Sequence, residues 1–208
     1  MPLVATRGGA SAFGLGWSAA GAGEELGGMV LLTPTSIAYT GTSATIGANG
    51  SVEFTAVSSL SLNGVFSADY DNYMISVWHE DSASEALNAR LRSSGSDASA
   101  TNYVWQNLRS DGYPTVDAVR LSTQSEYRIG STFNNLRSGL VCCIYGPFLA
   151  QPTAFRSQGV EADSSVDNVR IYDTAGTHSL STSYDGLSLI CVSGNFTGLF
   201  SVYGLVGA

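Results

Sequence analysis

Apolar and polar residues alternate in short runs from Met29 onward, which is the pattern of half-buried β-strands. Turn signals rich in Gly, Asn, Asp and Ser separate the runs. Many short strands at close spacing predict an all-β sandwich or barrel. The predicted strands are Met29–Leu32, Ser36–Tyr39, Ala44–Gly47, Ser51–Val57, Tyr73–His79, Asn88–Arg92, Tyr103–Leu108, Ala118–Ser122, Tyr127–Ser131, Leu140–Phe148, Asn168–Tyr172, Leu187–Ser193 and Phe196–Leu205.

The alternation also predicts which side chains face the core. In the first clear example, Val52, Phe54 and Ala56 share one face. In Asn88–Arg92, Ala89 and Leu91 point inward and both arginines point outward, and Asn168–Tyr172 repeats that scheme.

Two further predictions concern pairing and burial. The run Leu140–Phe148 is continuously apolar, which favours a strand that is covered on both faces. Leu187–Ser193 and Phe196–Leu205 predict a closing hairpin with its turn near Ser193-Gly-Asn195.

Residues 1–28 differ in composition from the rest of the chain. They are rich in Gly and Ala, yet Phe13, Leu15 and Trp17 are large, apolar and spaced by two. This spacing is typical of an extended segment that buries one face, and such a face needs another surface to cover it. We therefore interpret 1–28 as an extended Gly-rich N-terminal arm that docks on an assembly. The alternative is a flexible tail that carries one Trp.

Charge and cysteine content exclude several classes of protein. Only 12% of residues are charged, the net charge is −8, and all nine basic residues are arginine, without a basic cluster. Because phosphate binding needs concentrated positive charge, we expect no nucleic-acid partner. The chain has three cysteines, an odd number without regular spacing, which does not indicate a disulfide framework. With no signal-peptide pattern and no bilayer-length apolar run, we expect synthesis in a cytoplasm and no membrane insertion.

Candidate chemistry is sparse along the chain. The trio His79-Glu80-Asp81 would form a metal site only together with His178, and a strand end followed by a solvated acidic loop is the simpler interpretation. Neither histidine lies in a recognisable nucleophile motif. A pair of carboxylates, as in glycosidases, stays open, because the sequence cannot rank its seventeen acids. We expect no catalytic residue, metal or cofactor.

Aromatic residues are the remaining candidates for recognition, by stacking on sugar rings. Packing in the core and at subunit interfaces is expected for most of them. Tyr113 and Tyr184 lie in loop-like contexts and are the candidates for exposed contacts. The full set is Trp78, Tyr103, Trp105, Tyr113, Tyr127, Tyr172 and Tyr184.

The segment Leu60–Val77 contains an Asn-Gly turn, a Val-Phe pair and Tyr-Asp-Asn-Tyr leading into a core strand. Together with Leu91-Arg92, the Ser/Gly loop before Asn102-Tyr103 and the closing run Phe200–Gly204, it resembles small tail-fibre and other virion proteins of tailed bacteriophages. The resemblance covers about residues 60–103 and the last ten. It implies a jelly-roll-like β-sandwich, commonly trimeric, that is incorporated in a virion.

These observations combine into one functional expectation. Residues 29–208 form the jelly-roll-like β-sandwich, and the arm anchors a homotrimeric tail fibre or fibre-like appendage to other virion proteins, with distal loops that touch a host surface glycan. The alternatives are a capsid decoration or cement protein, a small polysaccharide-degrading tail enzyme, and a free carbohydrate-binding module. The expected location is the virion.

Overall fold

The computed structural model describes residues 28–83, 86–110, 116–131, 136–163 and 165–206, and for 162, 163 and 165–168 it describes the backbone alone. The described residues form fourteen β-strands and no helix, so the all-β prediction is confirmed. The strands are Met29–Leu32 (β1), Ser36–Ile46 (β2), Val52–Asn63 (β3), Asn72–Asp81 (β4), Ala86–Ser93 (β5), Ser96–Asp97 (β6), Tyr103–Ser110 (β7), Val116–Gln124 (β8), Tyr127–Ser131 (β9), Arg137–Tyr145 (β10), Thr153–Asp163 (β11), Ser165–His178 (β12), Gly186–Cys191 (β13) and Phe196–Leu205 (β14).

All described strand pairs are antiparallel and belong to one curled sheet with the order β6-β5-β13-β3-β14-β4-β10-β11-β12-β7-β8. β3 is the strand that joins two leaves. The long leaf consists of β14, β4, β10, β11, β12, β7 and β8, and the short leaf consists of β13, β5, β6 and β9. Its first half, from Val52 to Val57, pairs with β14, and its second half, from Ser59 to Leu62, pairs with β13. The sheet thereby folds over itself into the jelly-roll-like β-sandwich.

A β-bulge at Ala56 marks the place where β3 changes leaf. Ala56 has φ 47°, the register against β14 shifts between Phe54 and Val57, and the register against β2 shifts next to it, between Val57 and Ser59. The prediction that Ala56 shares the face of Val52 and Phe54 is therefore wrong: the bulge places Val57 in the core, where it is fully buried. Because a bulge increases local twist, it lets a continuous strand serve both leaves.

Aromatic side chains fill the space between the leaves. Tyr127 of β9 stacks on Phe155 of β11, with ring centroids 3.9 Å apart, and both rings lie against Tyr103. Phe66 and Tyr73 form a second pair at 4.6 Å. Since large rings dominate burial, these contacts hold the short leaf to the long one.

The predicted closing hairpin is wrong. Gly186–Cys191 and Phe196–Leu205 do not pair with each other; both pair with β3, end to end along the same edge. β13 has β5 on its other side, and β14 has β4 there. The turn at 192–195 therefore separates two collinear strands rather than reversing the chain.

The face assignment of two other strands is also corrected. β10 is covered on one face only: Leu140 is buried while Val141 is 42% exposed. In β12 the predicted alternation is reversed, because Val169 and Ile171 are exposed and Tyr172 is buried. The apolar runs misled the prediction because the outer face of this sheet is itself partly apolar.

Arg92 lies on the outer side of β5, as predicted, but it is buried instead of solvated. Its Nη1 donates hydrogen bonds to Ser61 Oγ at 2.9 Å and to Ser188 Oγ at 2.8 Å, and it forms an ion pair with Asp97. Its Nε donates to Asn63 Oδ1 at 3.0 Å. This network links β3, β5, β6 and β13.

Candidate assembly surface

The outer face of the long leaf carries a row of apolar side chains that crosses five strands. Leu199 (β14), Trp78 (β4), Gly139 (β10), Val160 (β11) and Ile171 (β12) stand opposite one another in register. Trp78 is 38% exposed, Val160 48% and Ile171 61%. We call these five residues the apolar row. Contiguous exposed apolar surface of this kind marks interaction sites.

Beyond the apolar row, exposed apolar residues also lie on the edge strand β8. Ile171 is opposite Ser110 of β7, and Ser110 is opposite Val116, which is 73% exposed. Val119 and Leu121 point to the other face of β8 and are each 39% exposed. Among the described strands β8 pairs with β7 alone, and edge strands with apolar residues are templates for association, so β8 extends the candidate surface.

A groove of about 570 Å³ lies in the middle of the apolar row. Gly139 forms its floor, and Trp78, Leu199, Val141 and Val160 stand at its sides. Because Gly139 has no side chain, the walls on β4 and β11 face each other two strand spacings apart, about 9.6 Å between backbones.

An arginine fixes one wall of the groove. The guanidinium of Arg137 lies 4.5 Å from the ring centroid of Trp78, and its Nη2 is 3.1 Å from Glu80 Oε1. The cation–π contact holds the indole in place, and the exposed ion pair cancels both charges at the rim. The groove therefore presents an apolar, locally neutral surface.

The inner face of the same strands carries a buried polar row instead. His79 is opposite Ser138, and Glu161 is opposite Arg170, whose Nη1 lies 3.5 Å from Glu161 Oε1. Among the described residues, His79 Nε2, Ser138 Oγ and Glu161 Oε2 make no hydrogen bond. Burial raises the pKa of Glu161, and the nearby arginines oppose that rise only in part.

The metal hypothesis for His79 and His178 gains no support from this row. His79 Nδ1 is 2.7 Å from Asp81 Oδ2, and both side chains are buried, so the solvated loop expected at Asp81 is wrong. Arg170 is the residue of β12 that belongs to the buried polar row of His79. His178 lies eight residues further along β12, about 26 Å from Arg170, so it is far from that row. The described part of the chain contains no group of three His, Cys, Asp or Glu side chains placed to hold a metal ion.

Tyr184 is not an exposed contact residue, which corrects the prediction. It is 2% exposed, and its hydroxyl is 3.2 Å from His178 Nδ1. Burial lowers the pKa of His178 and raises that of Tyr184. The loop-like sequence around Tyr184 misled the prediction because this loop folds back against the core, where Tyr184 N donates to Pro147 O.

Several predicted site residues lie outside the described residues: Phe13, Leu15, Trp17 and Tyr113. The other aromatic candidates separate as expected, since Tyr103, Trp105, Tyr127 and Tyr172 are buried in the core. Trp78 is the exception on the sheet surface. Sequence reasoning missed Gly139, Val141 and Val160, and the signal that could have drawn attention to them is a single glycine directly before the apolar run Leu140–Phe148.

Comparisons with known proteins give little guidance. No family model matches the chain, and no curated protein matches it. Among solved structures, the chain is similar to domain 4 of AbnA, a GH43 extracellular arabinanase from Geobacillus stearothermophilus, solved in complex with arabinotriose. The match has 14% identity and a TM-score of 0.35, and covers 87% of this chain and 84% of that one. At these values no function is transferred. The described residues contain no helix long and apolar enough to cross a membrane.

Proposed function

We propose that the protein is a structural subunit of a tailed-phage virion, a homotrimeric tail fibre or fibre-like appendage that assembles through the outer face of its long leaf. The observation that carries the proposal is the apolar row, which exposes Trp78, Val160 and Ile171 on a continuous, hydrogen-bonded sheet. A rigid apolar surface gains free energy by leaving water without an ordering cost of its own.

The low charge density supports the same function. Charged residues are depleted at the cores of protein interfaces, and arginine is tolerated there better than lysine. This chain is 12% charged and its basic residues are all arginine. At the groove the nearest arginine, Arg137, is already paired with Glu80, so a partner can bury this region without leaving a charge unpaired.

The phage-like motif is used for folding, which is consistent with a structural role. Gly64, with φ 67°, forms the turn after β3. Phe66 packs on Tyr73, whose hydroxyl donates to Ser67 O at 2.8 Å and accepts from Ser67 N at 2.8 Å. These contacts close the loop between β3 and β4, so the motif stabilises the start of the strand that carries Trp78.

The remaining parts of the proposal concern attachment. The arm, through Phe13, Leu15 and Trp17, anchors the subunit in its assembly, and distal loops contact the host surface glycan. Deleting residues 2–27 is expected to leave a folded domain that no longer joins its assembly. Normal incorporation of the shortened chain would contradict the arm's role.

The test of the function is the composition of purified particles. Particles of the phage that carries the gene are banded in a density gradient, and the chain is quantified against the major capsid protein by mass spectrometry. The proposal predicts a few copies per particle. A copy number that matches the capsid sites would identify a decoration protein instead, and absence from the particles would refute both virion roles.

A further inference from the structure

We propose that the groove over Gly139 binds the N-terminal segment of a second copy of this chain, with Phe13, Leu15 or Trp17 inserted between Trp78 and Val160. This inference deepens the proposed self-association and rests on it, but it does not depend on where in a virion the protein is found.

The first argument is the unexplained glycine. Glycine inside a strand is destabilising, and usually marks a bulge, a sharp bend, or close approach of a ligand or another backbone. Gly139 lies in unshifted register with both neighbouring strands, and its φ is not positive. A Cβ built there would have Val77 O at 3.8 Å as its nearest described neighbour, which is ordinary van der Waals contact. The described residues therefore leave room for a side chain here, and the close approach of another molecule is one use of a glycine inside a strand.

Gly159 and Gly176, on strands near Gly139, are glycines that the fold itself requires. A Cβ on Gly159 would lie 2.3 Å from the hydroxyl of Tyr172, and one on Gly176 would lie 2.4 Å from Val104 O. Both glycines make room for described parts of the fold, whereas Gly139 opens onto the outer surface.

The second argument is chemical complementarity between the groove and the arm. Residues 8–23 contain no charged side chain, and six of the sixteen are glycine. A neutral, thin backbone can approach an apolar, locally neutral surface without burying an unpaired charge. In an extended segment, Phe13, Leu15 and Trp17 project to one side at intervals of about 6.7 Å, so one ring can enter the groove while its neighbours cover the walls.

The third argument is the direction in which the chain leaves the sheet. β1 is antiparallel to β14, with Met29 opposite Leu205, and Val206 N donates to Gly28 O at 2.9 Å. At Gly28, where the described residues begin, the chain therefore points past Leu205 and away from Leu199, which lies beside the groove. Val206 and Leu199 are about 23 Å apart along the strand. The exit direction favours the groove of a second copy over the chain's own.

This contact has a consequence for symmetry. An arm in a neighbour's groove is a heterologous interface, since the two surfaces differ. Such interfaces form rings when the rotation closes, and a ring of three gives each groove one arm. The contact is therefore compatible with the proposed homotrimer.

The test is photocrosslinking in the full-length protein. Trp17 is replaced by p-benzoylphenylalanine, which keeps an aromatic ring at that position, and equal amounts of ¹⁴N- and ¹⁵N-labelled chains are mixed under denaturing conditions, refolded and irradiated. Crosslinked peptides are mapped by mass spectrometry. The proposal predicts crosslinks from position 17 to residues 76–78, 139–141 or 158–160, with mixed isotopes that identify two different chains.

Variants of the groove complete the experiment. Gly139→Val fills the floor and is expected to lower the crosslink yield about tenfold or more, since overpacking a contact costs about 1–3 kcal/mol. Ala175→Val, which places the same side chain at an exposed position two rows away on the same face, is expected to leave the yield unchanged. The absence of mixed-isotope crosslinks, crosslinks to another surface, or an unchanged yield in Gly139→Val would each overturn the proposal. Because this experiment does not measure the composition of particles, a negative result would reject the contact without rejecting the virion role.

Discussion

Replacing Gly139 and Gly159 by alanine, one at a time, separates a glycine kept for binding from a glycine kept for folding. Gly139→Ala adds a methyl group with 3.8 Å of clearance, so the lower entropy of the unfolded chain stabilises the protein by about 0.5–1 kcal/mol. For a chain of this size, that raises Tm by about 1–4 °C. Gly159→Ala places a methyl 2.3 Å from the Tyr172 hydroxyl, and the forced shift costs about 1–3 kcal/mol.

Urea unfolding followed by tryptophan fluorescence measures both variants against the wild type. The measurement uses the combined variant Phe13→Ala, Leu15→Ala and Trp17→Ala as the common background, so that the arm contributes neither to the fluorescence signal nor, through its contact, to stability. The midpoint is expected to rise for Gly139→Ala and to fall for Gly159→Ala, with equal slopes. If Gly139→Ala destabilises the protein as much as Gly159→Ala does, the fold itself requires the glycine, and the main argument for an occupied groove fails.

Three further predictions concern buried polar groups. Because burial raises the pKa of Glu161 in the folded state, ionisation of Glu161 opposes folding at neutral pH. Glu161→Gln is therefore expected to raise the urea midpoint at pH 7 and to leave it unchanged near pH 4. A lower midpoint at pH 7 would contradict this prediction. Burial lowers the pKa of His178, so its contribution to stability is lost as pH falls through about 6.5; the destabilisation of His178→Gln at pH 8 should shrink at pH 5.5. Arg92→Met removes the guanidinium that donates to Asp97 and to two serine hydroxyls, which keep only their bonds to one another and the longer Arg90–Asp97 ion pair. The substitution should cost about 2–4 kcal/mol, measured by the same unfolding experiment, and a loss below about 0.5 kcal/mol would show that the network is dispensable.

The strand pattern could be predicted where one face is apolar and the other polar. β4 and β7 follow this pattern, as does β3 up to its bulge, and their inward residues are the buried ones. The sequence does not predict β11, because the inward residues of this strand are not uniformly apolar. They include Thr153, Ser157, Gly159 and Glu161, of which Gly159 lies against the ring of Tyr172 and Glu161 belongs to the buried polar row. Period-two analysis has no signal for such a strand.

The candidate surface could not be predicted for a related reason. An exposed apolar face looks, in sequence, like a second buried face, so Val141 was assigned to the core and Ile171 to the inner side. The pairing of β13 and β14 with β3 depends on a bulge at Ala56, and alanine carries no local signal for a positive φ. Asn63-Gly64 predicts a tight hairpin turn, and this is only partly correct. Gly64 has φ 67°, but Asn63 has no positive φ and ends β3, which pairs with β2, β13 and β14 and not with β4.

The central claim is that this chain is a self-associating structural subunit. Multi-angle light scattering of the full-length wild-type protein, over a hundredfold range of concentration, tests that claim most directly. The account predicts a stable species with three times the 21.7 kDa mass of one chain, and its dissociation in Gly139→Val but not in Ala175→Val. A wild-type protein that remains monomeric at every concentration would contradict the account.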